Sequence, residues 1–247
     1  MNDSKLLFIA DLHLSESNTQ TCARFFQFLQ EEASKASALY ILGDLFEYWI
    51  GDEMLNRPIF NQIAKALYEL KNKNVKTYFI YGNRDFLIGK TFLSASGLTL
   101  LKEPFLLHYR QLSLMLMHGD SLCTRDWPYQ IYKKFARQPI IQHLFLMLPL
   151  VFRQKLADRI RTKSQRRQIA IQHKQCFTTD ANEKTVEKTF RRFAVNNIIH
   201  GHTHRPAHHQ TNGNNRYVLS DWVFDKDKRR GNYLLVDNSG IKSVDLK

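Results

Sequence analysis

The chain has 247 residues, 43% of them hydrophobic, enough for one substantial core or one core carrying an insert. Lysine and arginine number 36 against 23 acidic residues, a formal charge of +13 that suits either a solvated basic surface or an anionic partner such as phosphate groups, nucleic acid or acidic lipid. Three cysteines, Cys22, Cys123 and Cys176, are scattered and odd in number, so no disulfide framework or zinc ribbon follows from them and a reducing cytoplasm is the simpler setting. No apolar run is long enough to span a bilayer, and Met1–Lys5 leads into its apolar run without signal-peptide features.

In chain order, 5–10 reads as a first strand ending in Asp11-Leu12-His13, two potential metal ligands at i and i+2. Residues 21–37 read as a helix with Phe25, Phe28, Leu29 and Ala33 on one face. The strand 38–42 ends in Gly43-Asp44, where glycine allows a sharp turn and the carboxylate projects from the strand end. The loop that follows, Leu45 to Asp52, is rich in large apolar residues and suits either core or a greasy pocket. A helix is expected over 59–71 from the spacing of Ile63, Leu67 and Leu70. The strand 75–80 runs out in Gly82-Asn83-Arg84, and the strand 111–117 in His118-Gly119-Asp120.

Between Trp127 and Phe193 the alternation of strands stops. Helices broken at Pro139 and Pro149 suggest a helical cap, 127–193, inserted into a core of 1–126 and 194–247. Its stretch from Ile140 to Phe152 is almost wholly apolar and is followed by Arg153, Lys155, Arg159 and Arg161. That pattern is either cap interior with a solvated face or a surface that leans into an anionic bilayer.

The chain then returns to a strand, Ile198-Ile199, ending in His200-Gly201-His202-Thr203-His204-Arg205-Pro206. In extended backbone i and i+2 point the same way, so His202 and His204 are expected to face one point. Short strands follow at 216–219 and 232–236, with a last hairpin after Asn238-Ser239-Gly240. Strands alternating with helices imply an α/β fold with a largely parallel sheet, and ligands collect at the carboxyl ends of such strands. Five strands end in Asp, His or Asn. The candidate ligands are Asp11, His13, Asp44, Asn83, His118, His202 and His204. Seven exceed the need of one ion and suit two ions that share a carboxylate. Nitrogen and oxygen donors without thiolate favour Mn²⁺, Fe or Zn²⁺ over Ca²⁺. Such a pair activates water and clamps a phosphoryl group, so no protein nucleophile is needed.

Asp11-x-His13, Gly43-Asp44, Gly82-Asn83, His118-Gly119 and Gly201-His202-x-His204 resemble, in order, the motif set of the calcineurin-like metallophosphoesterases. The resemblance implies a four-layer αββα sandwich with two mixed sheets and an inserted helical cap. It also implies that Asp11, His13 and His204 hold one metal and Asn83, His118 and His202 the other, with Asp44 bridging. The longer stretches Gly43 to Asp52, Gly82 to Gly89 and His118 to Thr124 are similar to those of the UDP-2,3-diacylglucosamine pyrophosphohydrolase family of lipid A biosynthesis. That likeness implies water attack on the α-phosphorus to give UMP and 2,3-diacylglucosamine 1-phosphate (lipid X), two Mn²⁺ ions, and peripheral attachment to the cytoplasmic face of the bacterial inner membrane. No nucleic acid is expected as a partner, because no aromatic-basic stacking platform is evident, and no protein partner is evident either.

Many relatives carry His where this chain has Arg84. Arginine cannot act as a general acid, but it neutralises charge developing on a phosphoryl group. A phosphate leaving group needs no proton donor, so Arg84 as catalytic residue suits a pyrophosphate. The family also implies substrate contacts from Asn83, Arg84, His202, Asp126, Ser164 and Lys174; the asparagine usual between the last two has no clear partner in this chain, Gln168 being a candidate. His108, His143, His173, His208 and His209 match no motif and are expected to be structural or exposed.

Overall fold

A computed structural model describes residues 4–173 and 180–246, those at 161 and 163–173 by backbone alone. The chain begins with β1 (Leu6–Ile9), α1 (Thr19–Glu31), β2 (Ala38–Ile41), α2 (Pro58–Asn72) and β3 (Lys76–Phe79), the strand–helix alternation expected of parallel pairing. It continues through α3 (Lys90–Ser96), β4 (Thr99–Leu100), β5 (Phe105–Tyr109) and β6 (Leu112–Leu116) to α4 (Trp127–Ala136), α5 (Pro139–Leu146) and α6 (Leu150–His173). After α7 (Glu183–Phe193) come β7 (Asn197–His200), β8 (Ala207–Thr211), β9 (Asn214–Val218), β10 (Val223–Phe224), β11 (Arg229–Arg230), β12 (Asn232–Asp237) and β13 (Gly240–Asp245).

The strands form two large mixed sheets. One has the order β13-β12-β1-β2-β3-β4, and the other β5-β6-β7-β9-β8. In the first, β1 to β4 are parallel and β12 and β13 antiparallel. In the second, β6, β7 and β9 are parallel between two antiparallel edges. β1 and β2 are buried along their whole length, which explains why they read as unbroken apolar runs. Their alternate residues serve two cores. Leu6, Phe8, Tyr40 and Leu42 face Leu114, Leu116 and Ile199 between the sheets. Leu7, Ile9, Leu39 and Ile41 pack outward against Phe25 and Phe28 of α1 and Ile63 and Leu67 of α2. Phe8, Tyr40 and Tyr78 sit in register on adjacent strands and stack at 4.9 and 4.7 Å.

Met115, Met117 and Ile198 point out from the second sheet onto Phe190 of α7. α7 therefore supplies the fourth layer of an αββα sandwich. It lies inside the segment expected to be cap, so we restrict the proposed cap to α4–α6. The expected helix 21–37 also stops early, at Glu31, and a short 3₁₀ turn at Ala33–Lys35 finishes the segment.

The cap is moored at two points. Arg153 of α6 is buried and donates to the carbonyls of Ile50 and Leu148 and to Glu53. Asp120 is wholly buried and receives Tyr129 Oη at 2.6 Å, Lys133 Nζ at 2.7 Å and Arg137 Nη2 at 3.4 Å, all from α4 or the residue after it. Among the described residues of the cap, Phe145, Leu150 and Ala157 pack against the outer core, while other apolar side chains stay in solvent: Ile140 is 74%, Met147 69%, Val151 64% and Phe152 62% exposed.

Candidate metal centre

All seven expected ligands stand just beyond the carboxyl ends of β1, β2, β3, β6 and β7. Five of them, Asp11, His13, Asp44, His202 and His204, have φ between 51° and 69°. Left-handed backbone is uncommon for residues other than glycine and marks positions over-determined by their surroundings. Here the surroundings are the neighbouring loops. The N–H of His13 donates to Asp44 O at 3.0 Å, that of Gly201 to His118 O at 2.9 Å, and that of His202 to Asp11 Oδ2 at 2.6 Å. Gly82 and Gly201 permit this crowding, since a Cβ on either would lie 2.1 Å from Asp44 Oδ1 or 2.2 Å from Asp11 Oδ2 respectively.

The extended reading of His202 and His204 is thus corrected: both are left-handed, and they address two neighbouring points instead of one. His204 Nε2 approaches His13 Nε2 to 3.2 Å and Asp11 Oδ1 to 3.7 Å. His202 Nδ1 lies 2.8 Å and His118 Nε2 2.9 Å from Asn83 Oδ1. Asp44 sits between the sets, with Oδ1 3.8 Å from His118 Nε2, and its ligand atoms group with those of Asp11 and His118.

The donor chemistry fits divalent cations. Asp11 Oδ1 is buried without a hydrogen-bond partner. The His118 Nδ1 sits 2.9 Å from Leu42 O and so carries a proton, which leaves Nε2 aimed at Asn83 Oδ1 as the atom open to a cation. Burial opposes charge on this ring, yet the Asp44 and Asp11 carboxylates raise its pKa to about 9, a measure of the negative charge gathered here. Burial raises the Asp44 carboxyl above its ordinary range against the pull of His118 and Arg84. Burial likewise favours neutral His202, whose pKa falls to about 3. Converging lone pairs and a buried carboxylate short of positive charge are what a cation satisfies.

Arg84 borders this cluster. Its backbone N–H donates to Asp44 Oδ1 at 2.9 Å, its Nε lies 3.6 Å from Asp44 Oδ2, and its Nη1 donates to Glu47 at 2.6 Å. Asp126 caps α4 by accepting the Tyr129 N–H at 3.3 Å, and Tyr129 in turn leans its ring over His202 at 5.9 Å. Of the remaining expected contacts, Ser164 and Gln168 lie in α6 where only backbone is described, and Lys174 lies outside the described residues. Among the histidines outside the motifs, His208 stacks on Tyr217 at 4.3 Å and His108 pairs with Ser113.

Three supporting carboxylates escaped the sequence reading. Asp85 accepts the N–H groups of Leu45 and Gly82 at 2.7 and 2.8 Å, tying the Asp44 loop to the Asn83 loop. Asp120 moors the cap. Asp221 lies 3.7 Å from His204 Nδ1 and pairs with Arg230. The first two follow a ligand at i+2, as His13 follows Asp11, and that repeat was the available signal; Asp221 has none.

Comparison with known proteins agrees with this geometry. The model of the calcineurin-like phosphoesterase family matches residues 4–206. A UDP-2,3-diacylglucosamine hydrolase of Proteus mirabilis (strain HI4320) is 48% identical over 220 residues, which cover 87% of this chain and 90% of that protein. One from Edwardsiella ictaluri (strain 93-146) is 44% identical over 245 residues, covering 97% and 91%.

Proposed function

This chain belongs to the calcineurin-like phosphoesterase family, and from that premise we propose that it hydrolyses the pyrophosphate bond of UDP-2,3-diacylglucosamine, releasing UMP and 2,3-diacylglucosamine 1-phosphate (lipid X) for lipid A biosynthesis. The observation that carries the reading is the convergence of two nitrogen and oxygen donor sets on either side of Asp44, beside Arg84, in a chain nearly half identical to hydrolases of that name.

Asp11, His13 and His204 would hold one cation, and Asn83, His118 and His202 the other, with Asp44 shared. We assign the pair as Mn²⁺, which the nitrogen and oxygen donors suit. When bound, such ions supply a water nucleophile at neutral pH and neutralise phosphoryl charge. The remaining chemistry belongs to side chains. Water attacks the α-phosphorus and the bond to the bridging oxygen breaks. The sugar phosphate leaves as a stable anion, so no protein group need protonate it. Arg84 stays protonated throughout and offers N–H donors to the equatorial oxygens as their charge grows. Asn83 and His202 are proposed to orient the diphosphate. Asp126, Ser164 and Lys174 are proposed to contact the sugar from the cap.

Among the described residues no helix is long and apolar enough to cross a membrane. The exposed apolar faces of α5 and the start of α6, with Lys155 and Arg159 close by, support peripheral attachment to the cytoplasmic face of the inner membrane. The deciding measurement is UMP release from UDP-2,3-diacylglucosamine with Mn²⁺ present, for wild type and Asp44→Ala. The wild type should release UMP and the variant lose at least ~100-fold; equal rates, or no release by a metal-loaded wild type, would sink the reading.

A further inference from the structure

Glu47 lies three residues beyond Asp44, in a loop whose Leu45, Phe46 and Trp49 are buried in the outer core. Its carboxylate points inward and is 14% exposed. One oxygen is 2.6 Å from Arg84 Nη1; the other is 3.8 Å from His13 Nδ1, too far for a hydrogen bond.

The backbone of Arg84 is held on both sides, since its N–H donates to Asp44 Oδ1 and its carbonyl accepts the Trp49 N–H at 2.9 Å. Those bonds leave the side chain free to rotate. With its Nε already 3.6 Å from Asp44 Oδ2, an untethered guanidinium has a buried carboxylate within reach. Closing on Asp44 would use up donors that a phosphoryl group needs and set a fixed positive charge against the proposed cations. Glu47 supplies a second acceptor on the other side and draws Nη1 toward itself. A planar guanidinium tethered at one nitrogen keeps its other N–H donors in a fixed fork. We infer that Glu47 is a positioning residue that fixes the guanidinium of Arg84 beside the metal centre for phosphoryl recognition.

The inference leans on the proposed hydrolysis for its kinetic test alone, so a second readout is spectroscopic. In protein labelled with ¹⁵N-arginine, the Arg84 Nε–H resonance, assigned by its loss in Arg84→Lys, should shift in Glu47→Ala as Nε–H closes on Asp44, and return toward its wild-type position in Glu47→Gln. An Arg84 Nε–H resonance unmoved in Glu47→Ala overturns the inference whatever the substrate. In the kinetic test, Glu47→Ala should lower kcat roughly 10- to 100-fold with KM within about threefold, as misplacement of a catalytic group does. Glu47→Gln, which keeps an acceptor oxygen, should recover most of the rate. In an Arg84→Ala background the Glu47→Ala change should cost less than about threefold, because the two act as one unit. Full additivity, or loss of bound metal restored by excess Mn²⁺, would show Glu47 working through His13 or independently, and would overturn the assignment. A wild type inactive on the lipid sinks the proposed function and leaves the resonance test standing.

Discussion

His13 and His204 face each other with their Nε2 atoms 3.2 Å apart, joined across 191 residues of sequence. Two neutral imidazoles can satisfy each other there only if one carries its proton on Nε2, and Asp11 Oδ1, 3.7 Å from His204 Nε2, has no hydrogen-bond partner. A cation bound to all three removes the conflict. His204→Ala should therefore bind one metal equivalent where wild type should bind two, because the second set around Asn83 shares only Asp44 with the first. Elemental analysis after dialysis checks this. Two retained equivalents would mean that His204 is not a ligand.

Gly82 lets the Asn83 loop lie directly on Asp44. A Cβ there would meet Asp44 Oδ1 at 2.1 Å and its backbone N at 2.3 Å, neither of which can yield without moving the loop. Gly82→Ala should lower activity at least ~100-fold and destabilise by about 1–3 kcal/mol, the usual range for overpacking. Gly213→Ala is the comparison: nothing lies within 4 Å of its Cβ although φ is +76°, so it should cost only about 1 kcal/mol and leave the rate intact. Urea unfolding and UMP release on both variants test the contrast, and an active Gly82→Ala enzyme contradicts it.

The centre was legible in sequence because each ligand closes a buried strand, and buried strands announce themselves as apolar runs. How the ligands converge was not legible. Alternation along an extended chain suggested one shared point for His202 and His204, whereas left-handed backbone at both sends them to two. The edge strands were also hidden. β5 is only half-buried and turns into β6 through Arg110, at φ 55°, with no glycine to mark the hairpin. β8 is exposed throughout and has no apolar pattern, and only the Asn212-Gly213 turn betrays it. α7 shows how a helix can be foreseen while its layer is not: periodicity reveals an apolar face, and only tertiary structure tells which sheet that face covers.

His200 gives a pH dependence separate from the metal ligands. It is fully buried, with Nδ1 2.8 Å from Gly201 O and Nε2 3.2 Å from Arg216 Nη1. Burial and the nearby Arg216 charge lower its pKa from 6.5 to about 4. Between those values the unfolded chain takes up a proton that the folded chain refuses, so stability falls as pH falls through this window. It is fully present above pH ~6.5 and lost by pH ~4, for a total of about 3 kcal/mol. In chelated protein, the stability difference between wild type and His200→Asn should shrink by roughly that amount from pH 7 to pH 4 in urea titrations. A difference independent of pH would mean that His200 is not held neutral.

The exposed apolar face of the cap yields the remaining prediction. Met147 and Phe152 are 69% and 62% exposed on adjoining segments, so neither contributes much to the folded core. A monomer that keeps such side chains in water pays for them, and the cost is recovered if they enter the acyl boundary of a bilayer while Lys155 and Arg159 meet anionic headgroups. Each large apolar side chain transferred in full is worth about 1.5–3 kcal/mol. Met147→Ser with Phe152→Ser should therefore weaken sedimentation with phosphatidylglycerol vesicles by roughly 10- to 100-fold, while the unfolding midpoint stays nearly unchanged, as for other surface positions. Raising the salt should weaken wild-type binding through the cationic part only. If the double variant binds vesicles as well as wild type, the cap does not dock through this face; if it unfolds, the two side chains are holding the cap together instead.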